Sequence, residues 1–221
     1  GKKILKLLGY FVLFLLLMSI LLSISAVQTK IGSYVTNKVN EDFGTNLNIK
    51  KVDLSFLGSV QLKGVEIRDH HEDTLIFVQK LSTSLLSAKR IIEKEVNLGS
   101  VSLEGAYYYM KTYKGEKYDN MSVFIASFDS GIPRDSLSNP FILRASNIYV
   151  DGLNFKVVNA NKKDSINYAA TDVVGNLQNL AIVGPSVSSN IRGLQFTDTF
   201  GLQVANLTTN FSYSKTAMHF G

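Results

Sequence analysis

One eight-residue pattern recurs along this chain and restricts its fold more than any other feature. Val60-Gln61-Leu62-Lys63-Gly64-Val65-Glu66-Ile67 returns as Val101-Ser102-Leu103-Glu104-Gly105-Ala106-Tyr107-Tyr108, and again as Ile148-Tyr149-Val150-Asp151-Gly152-Leu153-Asn154-Phe155. A fourth copy ends Ile191-Arg192-Gly193-Leu194-Gln195-Phe196 and has Ser189 in its first position. An early variant, Leu47 to Leu54, carries Lys51 where the others have glycine. The template glycines stand 41, 47 and 41 residues apart, the signature of an internal repeat.

Apolar residues alternate in each octet, skip one extra position at the charged-Gly pair, and alternate again. Alternation of period two is the mark of a half-buried strand. In a regular strand the skip would send the second apolar pair to the opposite face. A β-bulge at Gly64, Gly105, Gly152 and Gly193 would absorb the extra residue and keep both pairs together, because glycine takes the left-handed conformation without penalty. Bulges in neighbouring strands would bend the whole sheet. From the octets alone, a curved trough and an ordinary antiparallel sandwich both remain open.

Before the octets the pattern is helical. From Leu7 to Val27 no residue is charged, enough for a helix of roughly 30 Å, the thickness of a bilayer's hydrocarbon core. Lys2, Lys3 and Lys6 precede it, which favours a cytoplasmic N-terminus and places the rest of the chain on the far side of the membrane. Those three lysines also explain most of the formal charge of +5, leaving the remainder close to balance and removing the case for nucleic-acid binding. With no cysteine there is no lipid-modified N-terminus, no disulfide and no thiol chemistry. The reading is a signal-anchor over residues 1–27. Val27, Ile31, Val35, Val39 and Phe43 then lay an apolar stripe along a helix over 28–44, with Gly44 as its stop. A β-rich domain follows over 45–221.

Smaller elements interrupt the strands. Ser87–Glu95 and Asn120–Phe128 read as short helices, the second capped by Asp119 or Asn120, and Asp129–Pro140 reads as a loop. Later strands are expected over Ser165–Ala170, Val173–Val183, Leu202–Ala205 and Thr208–Tyr213. About ten strands at roughly 4.8 Å spacing would extend about 45 Å.

No catalytic constellation emerges, so the chain reads as a non-enzyme with no cofactor. His70-His71-Glu72-Asp73 is the nearest approach to a metal cluster. Adjacent histidines on an extended segment point to opposite sides, and no metal site is expected there.

In order and wording these segments resemble the N-terminal part of the TamB family of AsmA-like proteins. The resemblance rests on the anchor, on VQTKIGSYVTNKVNEDFGTNLNIKKVDLSFLGSVQLKGVEIRD running straight into strands, on LSTSLLSAKRIIEKEVNLGSVSLEGAYYYM, and on IRGLQFTDTFGLQVANLTTNFSY. It implies a mainly β fold: a transmembrane helix followed by a curved, groove-forming, antiparallel-rich sheet (a β-taco) with short helices. It implies a bacterial inner-membrane protein whose β domain lies in the periplasm and carries phospholipid towards the outer membrane. The alternative it offers is a scaffold of the translocation and assembly module, aiding outer-membrane protein insertion or secretion. Family members run longer, and an outer-membrane barrel partner is expected to engage their C-terminal region. On this reading the groove is lined by Leu54, Phe56, Val60, Leu62, Val65, Ile67, Val101, Leu103, Tyr108, Ile148, Val150, Leu153, Phe155, Ile191, Leu194 and Phe196. Lys63, Glu104, Asp151 and Arg192 would keep the rim or outer face wet.

Overall fold

The computed structural model describes residues 2–55, 58–84, 95–127, 142–162, 167–184, 186–214 and 217–221. Phe56, the helix expected over Ser87–Glu95 up to residue 94, and the Asp129–Pro140 loop lie outside them.

Two helices lead into the sheet. The apolar run folds as α1 (Lys2–Ser23), and α2 spans Ser25–Phe43. The uninterrupted helix expected from Leu7 to Val27 is therefore corrected: Ile24 has extended backbone (φ −69°, ψ 119°) and no side-chain cap. Its amide bonds the Leu21 carbonyl, closing α1, while its own carbonyl accepts from Val27 and Gln28, opening α2. Among the described residues no single helix is long and apolar enough to cross a membrane. Gly9–Leu21 and Ala26–Glu41 meet that criterion only together, bent by 75°. Gly44 ends α2 at φ 61°, the left-handed stop expected of it.

Among the described residues nine strands follow: β1 (Asn46–Leu54), β2 (Ser59–Arg68), β3 (Thr74–Ser84), β4 (Glu95–Thr112), β5 (Ile142–Asn159), β6 (Asn167–Val183), β7 (Ser186–Asp198), β8 (Gln203–Tyr213) and β9 (Met218–Phe220). A helix, α3 (Asn120–Ser127), sits between β4 and β5, with the Asp119 carboxylate accepting from the Ser122 amide as its cap. The strands form one curved, non-closed sheet in the order of the chain. Of the two arrangements left open by the octets, the described strands form the curved sheet and not the sandwich, which needs two sheets. Every neighbouring pair is antiparallel except β4 and β5, which run parallel.

The four octets fall in β2, β4, β5 and β7. Of the strand expected over Ser165–Ala170, residues 165 and 166 lie outside the described residues; the rest joins the one expected over Val173–Val183 in the single β6, with Asp172 at φ 51° between them.

Helix α2 covers the start of the sheet. Its most buried described positions are Gln28, Gly32 and Thr36, one residue round from the apolar stripe at Val27, Ile31 and Val39, which is half-buried. The reason is close approach: a Cβ on Gly32 would stand 2.6 Å from Cγ2 of Val52 on β1. At the end of α2, Asn40 donates from Nδ2 to the Leu47 carbonyl (2.9 Å) and accepts from the Leu47 amide (2.8 Å), standing in for a neighbouring strand at the β1 edge. Gly32→Val should undock α2 at a cost of about 2 kcal/mol. Hydrogen exchange would report it as lost protection in α2 with the central strands unchanged; equal protection in both would contradict the packing described.

Candidate functional site

The glycines expected to bulge are left-handed, as foreseen: φ is 61° at Gly64, 60° at Gly105, 68° at Gly152 and 61° at Gly193. Gly152 against β6 and Gly193 against β6 and β8 insert an extra residue, as expected: Val150 pairs with Gly175 but Leu153 with Val173, Asn176 with Arg192 but Val174 with Gln195, and Ile191 with Thr209 but Leu194 with Leu207. Within β1–β5, however, Gly64, Gly105 and Gly152 insert none. Lys51 pairs with Lys63 and Ile49 with Val65; Lys63 pairs with Lys80 and Val65 with Val78; Lys80 pairs with Glu104 and Val78 with Ala106. The β4–β5 offset is likewise the same before and after Gly105 and Gly152. Lys50, Gly64, Gln79, Gly105 and Gly152 thus stand at one level, forming a line across β1–β5.

The physical reason is that the neighbours skip too. Ile49 and Val52 on β1, and Val78 and Leu81 on β3, are separated by three residues just as Leu62 and Val65 are. When every strand carries the same irregularity, none has a residue to spare and pairing resumes unshifted. The early variant aligns through Lys50, not Lys51, because β1 runs antiparallel to β2. Beyond β5 the neighbours do not match, and besides the shifts at Gly152 and Gly193 another occurs in β6 between Gln178 and Ala181, where Asn179 takes φ 54°.

Apolar rows flank this line. Val52, Leu62, Leu81, Leu103 and Val150 pair in succession on one side, while Ile49, Val65, Val78 and Ala106 do so on the other. Leu47, Ile67, Ile76, Tyr108 and Phe155 form the next row out. Leu62, Leu81 and Leu103 nevertheless pack in one cluster with Val65, Val78 and Ala106, and Leu153 joins them. Residues three apart on a straight strand face opposite ways. Each strand therefore bends at the line, and both rows look into the bend.

The remaining expected lining residues extend this surface. Leu54 is opposite Val60; Val101 is beside Ile148, and Leu177 links Ile148 to Ile191. Leu194 pairs with Leu207 and closes over Gly175, where a Cβ would come within 3.0 Å of the Leu194 Cα. Phe196 pairs with Val204. Every described lining residue is buried or half-buried, and none is exposed. Towards one rim the surface turns aromatic: Tyr108 stacks on Phe155 (5.2 Å), which meets Tyr168 edge-on (6.2 Å), and Tyr168 lies 6.3 Å from Phe200. Burial, with the Asp119 charge adding to it, pushes the Tyr108 hydroxyl well above its ordinary pKa, keeping it neutral.

Charges occupy the alternate positions on the other face. Lys80 bonds Glu104 (2.7 Å), Lys51 bonds Asp53 (2.8 Å) with Lys63 at 3.8 Å, and Asp151 is exposed. Such surface pairs stabilise little, and their contribution is a wet outer face. Arg192 is instead half-buried, donating to the Thr209 carbonyl and to Asn210.

The aromatic rim is held by a polar knot that sequence reading missed. Asp69, nearly buried, accepts from Asn120 Nδ2 (2.8 Å), from the Tyr113 hydroxyl (2.7 Å) and from the amides of His71 and Asp73. Burial pushes its carboxyl up, but these four donors together hold it below the ordinary range. They also overturn the extended geometry assumed for the histidines. Residues 69–73 form a turn in which His70 and His71 both direct Nε2 at Glu116, at 2.9 and 2.5 Å. Glu116 lies more than forty residues further on, beyond the reach of any local motif.

Neither a scan against protein-family models nor a search of curated proteins returns a match to this chain. What the site offers chemically is an apolar, inward-curving surface with a polar back.

Proposed function

We propose that this chain is a TamB-like protein of a bacterial inner membrane whose bent sheet holds the acyl chains of phospholipid on its inner face. The observation that carries the reading is the pair of apolar rows, continuous across β1–β5 on both sides of the bend. Acyl chains laid along the line would be stabilised by about 0.8 kcal/mol per buried CH2, and uninterrupted rows would let them slide without meeting water. Nine strands at roughly 4.8 Å give a track of about 40 Å, one section of a bridge between membranes.

Membrane attachment through α1 belongs to the same proposal. Tyr10, Phe11, Leu13, Phe14, Leu16, Leu17 and Ile20 are each about half exposed or more, and they surround the helix rather than forming one stripe. A helix apolar on all sides and left uncovered is suited to lipid rather than water. The N-terminal lysines then keep the N-terminus in the cytoplasm and the sheet in the periplasm.

Photo-crosslinking in membranes tests the groove. A crosslinking side chain at Leu103 or Phe155 is expected to capture phospholipid, and one at Glu104, adjacent in sequence but on the polar face, is not. Equal labelling at Glu104, or none at Leu103 and Phe155, would sink the reading.

A further inference from the structure

We propose that His70, His71 and Glu116 form a site for a divalent transition-metal ion of the Zn2+ type, which clips two loops of the rim together. The three side chains come from two connections, the β2–β3 turn and the β4–α3 loop. Their ligand atoms all lie within 4.8 Å of one another. Two imidazole nitrogens and a carboxylate are a donor set that Zn2+ takes in many proteins, with its remaining position left to water.

The distances fit with little rearrangement. Tetrahedral bonds of 2.0–2.1 Å place ligand atoms roughly 3.3 Å apart. The present separations of 2.9 and 2.5 Å between the imidazoles and the Glu116 oxygens need to open by less than about 1 Å. As the side chains stand, each Nε2–H donates to the carboxylate. An ion entering between them requires each ring to carry its proton on Nδ1, leaving the Nε2 lone pair for the metal.

The ligands are already held. The His71 amide bonds Asp69 Oδ1, and the His71 ring lies 3.8 Å from that of Tyr113. Asn161 grips the other side: its Nδ2 donates to the Glu116 carbonyl (2.7 Å) and its Oδ1 accepts from the Gly115 amide (2.7 Å). A preformed pair of loops loses little entropy on binding. The ligands lie at the surface, so replacing them leaves the sheet intact.

Calorimetric titration of the untagged, chelator-treated whole chain with Zn2+ tests the site. One saturable site is expected, weakened at least about ten-fold by Glu116→Gln and by His71→Asn, and unchanged by His219→Asn. Circular dichroism identical to the parent confirms that the variants fold. Co2+ supplies a readout independent of the variants: added to the parent chain, it should develop the visible absorption of a low-coordinate site. Binding that never saturates, that survives Glu116→Gln unchanged, or a Co2+ spectrum no different from that in buffer would overturn the assignment.

Discussion

Gly105→Val is expected to destabilise the sheet by about 3–4 kcal/mol, while Gly152→Ala costs only about 1 kcal/mol. Both glycines lie on the bend line and both are left-handed, at φ 60° and 68°. A side chain with a Cβ pays roughly 1–2 kcal/mol for that conformation, and a β-branched one more. At Gly152 nothing stands within 4 Å of an added Cβ, so the backbone term is the whole effect. At Gly105 the added Cβ would meet Gln79 Oε1 at 2.6 Å and Gln79 Cβ at 3.1 Å. Displacing Gln79 disturbs β3 at the same level, and overpacking of this kind costs about 1–3 kcal/mol more. Urea titration of the whole chain in mild detergent would separate the two variants. Losses below about 1 kcal/mol for both would mean that the bend does not depend on left-handed residues.

Asp69→Ala should cost about 3 kcal/mol, concentrated at the rim. The substitution strips the Asn120 amide, 1% exposed, of its carboxylate partner, leaving Asn120 Nδ2 with only the Tyr109 carbonyl at 3.1 Å. It also leaves the two turn amides without their acceptor and the Tyr113 hydroxyl with Asp73 alone (2.7 Å). A buried donor left unmade costs about 1–3 kcal/mol, and the turn bonds add to that. Tyr113→Phe removes one donor and should cost about 1 kcal/mol. A predicted pH dependence accompanies these losses. Asp69 is held below its ordinary value by its donors despite burial; Asp73 is held there by the Tyr113 hydroxyl and by Lys111. The unfolded chain therefore binds protons that the folded chain does not. The stabilisation is fully present above the ordinary carboxylate pKa of about 4 and is lost as pH falls below it. Unfolding midpoints should stay level from neutrality to about pH 5 and fall beneath pH 4, less steeply in Asp69→Asn. A midpoint indifferent to acid in the parent would refute the linkage.

The legible part of this molecule is what local periodicity encodes. Alternation in the octets placed β2, β4, β5 and β7, the three-residue skip marked the left-handed glycines, and Asp119 and Gly44 marked helix ends. What was missed depends on the company a segment keeps. An extra residue in one strand is a bulge only if its neighbour lacks one, and the matching skips at Ile49–Val52 and Val78–Leu81 carry no glycine to announce them. The parallel pairing of β4 with β5 is a matter of where the chain returns, which no window of the sequence records. The convergence of two histidines on Glu116 needs the Asp69 turn, built by donors from Tyr113 and Asn120 far along the chain. Ile24 breaks an apolar run that composition alone reads as continuous.

The single parallel pair has a consequence for how the chain comes together. Antiparallel neighbours follow one another directly, so β1–β4 and β5–β9 are each assembled from contacts close in sequence. Joining β5 to β4 is different, because β4 ends at Thr112 on one rim and β5 begins with Ile142 on the other. The chain must return to the opposite rim before that pair can form. Closing so long a loop costs about 1–2 kcal/mol more than closing a hairpin. Contacts of large sequence separation are also the slow ones. The seam between Leu103 and Val150, in the middle of the proposed lipid track, is thus where the blocks β1–β4 and β5–β9 are expected to meet last.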